Sequence, residues 1–290
     1  MSDAAPATPA TPIVDAWINP NVPTAARVWH EQEHPSDVAS RVFDATERIG
    51  AGVSIEETIE QMTAAGVDRG VLSSMKEYSP YPDVLRFHEL VAAVVAEHPG
   101  RFIAAGGVDP VRDGVMGAVR MARRLVEELD FKAIKIMPSI VGRAPSDAVY
   151  YPLYALCCEL DVPVTINVGF PGPRTPAEPQ RPLHIDEVCR TFPELNVVMT
   201  HLGWPWHLEV IALLLKYERL FLMTSAWAPK RYPSEIVHHI ATRGRGRVMF
   251  ATDYPLLSFE RCATEALALP LDDEAMAAFL HGTAEEVFAW

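Results

Sequence analysis

"NVVMTHLGWPWHLEVIALLLKYERLFLMTS", residues 196–225, holds the pattern that decides the fold. Its first six residues are a short β-branched, apolar run of the kind that forms a buried strand. Residues 206–217 then repeat apolar positions at helical spacing, and 220–225 is a second short apolar run. Strand, helix and strand in that order argue for a parallel sheet with a helix laid against it.

The same alternation extends in both directions. Further strands are expected at 12–18, 69–75, 102–108, 132–137, 163–168 and 247–252, which makes eight in all. Helical stretches lie between them at 54–66, 82–98, 111–129, 148–160, 183–192 and 234–243. Two more, 259–269 and 272–290, follow the last strand. Ser54 stands three residues before Glu57, a capping-box spacing, and Asp272 with Asp273 suits a helix N-terminus. Eight strands at roughly thirty-residue spacing favour a (β/α)8 TIM barrel over an open doubly wound sheet. No G-x-G-x-x-G follows the first strand, as a dinucleotide-binding open sheet would require. No linker interrupts the pattern, so residues 12–290 read as one domain after an Ala/Pro/Thr-rich, extended or disordered lead over 1–11.

Composition narrows the function. The chain has 290 residues, 25 basic against 38 acidic, and a formal net charge of −13. An acidic chain with no Lys/Arg cluster is a poor match for nucleic acid or an anionic membrane, whereas a small anionic substrate needs only a local basic pocket. No apolar run approaches the roughly 18 residues that span a bilayer, and the N-terminus lacks the basic and apolar regions of a signal peptide. Cys157, Cys158, Cys189 and Cys262 form no C-x-x-C pair and read as reduced core thiols. A cytoplasmic location is expected, with a small molecule as partner and a homodimer left open.

Active sites in barrels lie at the strands' carboxyl ends. Those ends carry Trp17 and Asn19 (strand one), Lys135 (four), Asn167 (five), His201 (six) and Asp253 (eight), with Trp204 and His207 just behind His201. The connection of about 35 residues after strand one, with Arg27, Trp29, His30 and His34, is long enough to be a lid or binding loop.

"PLYALCCELDVPVTINVG" (152–169), "LNVVMTHLGWPW" (195–206) and "RVMFATDYP" (247–255) resemble the amidohydrolase-related family, which includes aminocarboxymuconate-semialdehyde and resorcylate decarboxylases. "HPGRFIAAGGVDP" (98–110) and the closing "HGTAEEVFAW" (281–290) extend the resemblance from about Ile13 to Phe288. It implies a distorted (β/α)8 barrel holding one divalent ion, often zinc. The ligands would be two His after strand one, one His after strand five and an Asp after strand eight, with a His after strand six as acid/base. Carried over here, those positions are Trp17, Asn19, Asn167 and Asp253, with His201 as the acid/base.

Three of the four ligands are thus replaced. Trp offers no basic lone pair, and an amide oxygen is a poor zinc ligand beside imidazole. The sequence therefore predicts no cofactor; zinc would need replacement ligands from His30, His34, His184 or His207. Amide donors from Asn19 and Asn167 with the Lys135 cation can polarise a carbonyl in the ion's stead. Asp253 can serve as base with His201 as acid partner. The similar pyronedicarboxylate lactonases work without a metal. Trp17 would fill the ion's place or stack on a flat substrate.

The first expectation is a metal-independent hydrolase of a small carboxylate-bearing, lactone or aromatic substrate. A decarboxylase of an aromatic or unsaturated acid, with Asp253 protonating carbon, is the alternative. An inactive barrel kept as a binding protein is the third, and retention of both His201 and Asp253 speaks against it.

Overall fold

The structure is a computed structural model that describes residues 11–23, 26, 42, 46–74 and 85–290. Most of the long connection after strand one, including Arg27, Trp29, His30 and His34, lies outside the described residues, as does the lead up to residue 10.

Eight parallel strands form one sheet in sequential order: β1 Val14–Ile18, β2 Arg69–Ser74, β3 Phe102–Gly107, β4 Ala133–Ile136, β5 Val164–Asn167, β6 Val197–Thr200, β7 Leu220–Met223 and β8 Val248–Met249. The predicted strands are all present, each trimmed at its ends. β8 has only two residues of regular ladder, but the chain beyond it closes the ring onto β1. Ala16 N donates to Phe250 O (3.0 Å), Asp253 N to Trp17 O (3.1 Å) and Asn19 N to Tyr254 O (2.8 Å). The TIM barrel expected from the alternation is therefore the observed architecture.

Side-chain parity divides the strands into two layers, because successive residues face opposite sides of a sheet. Ile134 and Ile136, Val164 and Ile166, Val197 and Met199, Leu220 and Leu222 pack outward in the large cluster formed with the helices. Val14, Ala16, Ile103, Ala105, Ala133, Val198, Phe221, Met223, Met249 and Ala251 form a second, inner cluster. That cluster continues into Ala284, Val287 and Phe288 of the C-terminal segment, which plugs one end of the barrel. The Arg69 guanidinium, at the start of β2, lies 5.1 Å over the Trp290 ring, so the plug is at the strands' amino ends. The opposite, carboxyl end is where the inner positions turn polar: Ser73, Lys135, Thr165, Asn167 and Thr200.

Helices lie between the strands, as in a barrel's outer ring. Ser54 caps Ile55–Ala64 by accepting from Glu57 N at 3.1 Å, and Asp272 caps its helix by accepting from Ala275 N at 2.8 Å. The single helix expected over 272–290 is instead Asp273–Ala277, a π turn Ala278–Gly282 and Thr283–Val287. Among the described residues no helix is long and apolar enough to cross a membrane.

Candidate active site

The β1–β8 seam is built around a buried acid. Asp15 accepts from Trp17 N (3.1 Å) and Thr252 N (3.0 Å) through one oxygen, and from Thr252 Oγ1 (2.6 Å) through the other. Complete burial lifts its carboxyl to about 7 despite those three donors. Thr252 immediately precedes Asp253, whose backbone is in the left-handed region at φ 64°. Side chains rarely tolerate that conformation, and it persists only where surrounding contacts hold it. The seam bonds do so here, and they deliver the Asp253 side chain to the mouth.

Asn19 binds the result together. Its Nδ2 donates to Asp253 Oδ1 at 2.6 Å and to Tyr254 O at 3.0 Å, while its Oδ1 accepts from Trp17 Nε1 at 3.0 Å. The Asp253 Oδ2 atom lies 3.8 Å from His201 Nδ1.

His201 stands on a second strained turn. His201, Leu202 and Gly203 have successive φ values of 59°, 57° and 66°. The neighbouring β5 loop presses close: a Cβ on Gly169 (φ 90°) would lie 2.9 Å from Gly203 C and from Trp204 O, so only glycine fits. This close approach brings Asn167 beside His201, with Asn167 Nδ2 3.0 Å from His201 Nε2. The other ring nitrogen faces Ser225, at 2.9 Å from its Oγ and 3.4 Å from its backbone O. Burial holds the His201 imidazole below its ordinary pKa; the Asp253 carboxylate opposes this, and Lys135 adds to the lowering. The balance favours the neutral imidazole. Asn167 is buried, and its Oδ1 has no hydrogen-bond partner among the described residues. A buried acceptor in that state is a place for a substrate or water donor.

Trp17 fills the centre. Its ring lies edge-on to His201, with centroids 5.3 Å apart, and the Lys135 ammonium sits 4.6 Å over it. Lys135 also donates to Ser73 Oγ at 3.0 Å and is fully buried. It therefore does not line the open mouth, as the sequence suggests; it supports Trp17 from behind. A desolvated cation over an indole contributes about 2 kcal/mol.

Two other sequence candidates lie further out. Trp204 is 43% exposed on the rim and packs on Trp227 at 5.4 Å. His207 does not join the cluster: its Nε2 lies 3.9 Å from Glu235 Oε2 on the helix Ser234–Ala241. Its position at the start of His207–Lys216 aims it at the neighbouring helix. His184 is likewise engaged elsewhere, with Nε2 3.0 Å from Glu178 and Nδ1 3.3 Å from Ser146. Among the described residues, no three His, Cys, Asp or Glu side chains converge as a ligand set. Trp17 Nε1 is a donor only, and Asn19 turns its nitrogen to Asp253, so these residues do not fit a zinc centre.

Sequence reasoning missed Ser225, Ser73 and the role of Asp15. Ser225 ends the predicted seventh strand, so taking a residue from every strand end would have found it. The signal for Asp15 was an acid inside an apolar strand.

Among solved structures, the chain is similar to an uncharacterized TIM-barrel protein from Bordetella bronchiseptica, at 25% identity and TM-score 0.80, covering 96% of this chain and 98% of that one. It is also similar to 2,6-dihydroxybenzoate decarboxylase from Rhizobium, at 16% identity and TM-score 0.72, covering 96% and 98%. A third is 5-carboxyvanillate decarboxylase from Novosphingobium aromaticivorans, solved with manganese and a nitrobenzoic acid, at 18% identity and TM-score 0.69, covering 97% and 96%. No curated protein matches the chain. The family profile described as Amidohydrolase matches residues 14–290, from the first residue of β1 to the last of the chain, and the protein belongs to that family.

Proposed function

We propose that the protein is a carbon–carbon lyase that releases CO2 from a small aromatic or unsaturated carboxylic acid, with its own side chains in place of a bound metal. The observation that carries this is the approach of Asp253 to His201 at 3.8 Å, each held by an asparagine, Asn19 and Asn167 respectively. Such a pair can take up and return a proton within one site. In the decarboxylation one proton is added to the carbon bearing the carboxylate. The bond to CO2 then breaks, and its electron pair returns to the conjugated system. His201, beside the Asp253 carboxylate, first takes a proton from solvent or from the substrate's own acid group and then hands it to the carbon, where it stays in the product C–H bond. Asn167, with an open acceptor on Oδ1, orients a hydroxyl or similar donor on the substrate.

The sequence alone puts hydrolysis first. Two of the solved neighbours are decarboxylases, which supports reversing that order. Hydrolysis stays the second reading because a carboxylate beside a neutral imidazole is equally suited to activating water. After incubation with a chelator and gel filtration, the protein should release CO2 from one member of a panel of hydroxylated aromatic and unsaturated acids. In 18O-labelled water the organic product should gain no label. Label in a product carboxylate, without CO2, would replace the lyase with the hydrolase.

A further inference from the structure

We propose that Ser225 is a positioning residue that fixes which nitrogen of His201 carries the proton, and so makes Nε2 the atom that exchanges protons with substrate. This rests on the reading of Asp253 and His201 as the proton-transfer pair, and it divides the labour between them.

The acceptors on each side of the ring decide which nitrogen carries the hydrogen. His201 Nδ1 faces the Ser225 backbone carbonyl at 3.4 Å, the Ser225 Oγ at 2.9 Å and Asp253 Oδ2 at 3.8 Å. A carbonyl oxygen only accepts, and so does an ionised carboxylate. A bare lone pair on Nδ1 would face both and be repelled by both. Nδ1 therefore carries the hydrogen, and Ser225 Oγ accepts it. On the far side, Asn167 Nδ2 lies 3.0 Å from Nε2 and needs an acceptor, which the Nε2 lone pair provides. The opposite tautomer would need the Asn167 amide turned over, and would still leave Nδ1 facing two acceptors. Ser225 is fully buried, so water does not compete for this contact.

In this arrangement Asp253 acts through the ring. Its carboxylate lies on the Nδ1 side and stabilises the imidazolium formed when Nε2 takes a proton. Asn167 Nδ2 shields Nε2 until substrate displaces it. Ser225 touches no reacting atom.

Nitrogen NMR on protein labelled in histidine tests this without requiring turnover. His201→Asn identifies the resonances by their loss. At a pH where His201 is neutral, the wild type should show Nδ1 as the protonated, pyrrole-type nitrogen and Nε2 as the pyridine-type one. Ser225→Ala leaves the backbone carbonyl and Asp253 facing Nδ1 but removes the hydroxyl that takes its hydrogen at 2.9 Å, so the share protonated on Nδ1 should fall. On whichever substrate is turned over, it should lower kcat several-fold with KM little changed. Serine hydroxyl removal is small enough to keep the fold, and the wild-type spectrum needs no variant. A neutral His201 protonated on Nε2 in the wild type would overturn the proposal. So would a Ser225→Ala spectrum identical to the wild type's. If no carboxylic acid is turned over, the lyase reading fails while the tautomer result stands or falls by itself.

Discussion

Asp15 makes the most quantitative test of the seam that places Asp253. In the unfolded chain its carboxyl has the ordinary value of 3.8, and in the folded protein burial raises it to about 7. An acid with a raised folded value binds its proton more tightly in the native state. Its contribution to stability is therefore present at low pH and is lost as pH climbs from about 4 through about 7. The shift of roughly three units corresponds to about 4 kcal/mol in total. Between pH 5 and pH 8 most of that disappears, about 3 kcal/mol. Asp15→Asn keeps the shape of the protonated acid and cannot ionise, so it lacks this loss. Urea unfolding of wild type and Asp15→Asn at pH 5, 6, 7 and 8 gives the comparison, and other titrating groups cancel in the difference. The variant should gain on the wild type by about 3 kcal/mol from pH 5 to pH 8, most of it before pH 7. Because the same carboxyl receives the Thr252 and Trp17 amides, the variant should also alter turnover through Asp253. Parallel stability curves for the two proteins would show that Asp15 is ionised throughout and that the seam is held by a charge.

Three further outcomes follow from the same contacts. Asp253→Asn and His201→Asn should each leave the melting temperature nearly unchanged while lowering turnover by about 10²-fold or more in a CO2-release assay, the usual worth of a positioned acid/base group. Trp17→Phe keeps a ring face for Lys135 but strips the donor from Asn19 Oδ1, leaving a buried acceptor; denaturation should show a loss of about 1–3 kcal/mol. Trp17→His, Asn19→His and Asn167→His combined should create a site that retains near one equivalent of zinc through gel filtration, with Asp253 as the fourth ligand. The wild type should retain well under one equivalent, and a stoichiometric ion there would refute the metal-independent reading.

The barrel was legible because its signals are local and repeated. Each strand is a short apolar run buried on both faces, and each helix has its own period and, at Ser54 and Asp272, its own cap. The end of the chain was read less well: nothing in its helical period marks the π turn at Ala278–Gly282. The site was legible only where chemistry sits at a strand end, as with Asn19, Asn167, His201 and Asp253. His207 was misplaced because helical phase, which sets its direction toward Glu235, was judged from sequence distance to His201. Strand position places Lys135 near the mouth, but its cover by the Trp17 ring depends on bulk from across the barrel, which no local pattern encodes. Ser225 was missed because its value lies in a backbone carbonyl and a hydroxyl that meet one nitrogen, and no pattern of side chains encodes that meeting.

Under the proposed metal-independent reading, Trp17, Asn19 and Asn167 work as one change, for an electrostatic reason. Three histidines and an aspartate can converge in a low-dielectric barrel only around a cation that absorbs their lone pairs and charge. Replacing one ligand alone would leave the others unsatisfied. Here each position has a partner that needs no ion. Trp17 gives its hydrogen to Asn19, Asn19 gives one to Asp253, and Asn167 gives one to His201. The indole occupies the middle, where it covers the Lys135 cation rather than repelling it. Among the described residues, the Lys135 ammonium at the site is held against an aromatic ring and buried. The consequence for chemistry is specific. Asn19 Nδ2 spends both hydrogens on Asp253 and Tyr254, so on the proposed reading polarising a substrate oxygen falls to the neutral amide of Asn167, weaker than a divalent ion, whereas proton transfer rests on Asp253 and His201. Reactions limited by moving a proton to or from carbon lose less by this exchange than reactions limited by generating hydroxide. Loss of CO2 from a conjugated acid belongs to the first class and metal-assisted hydrolysis to the second.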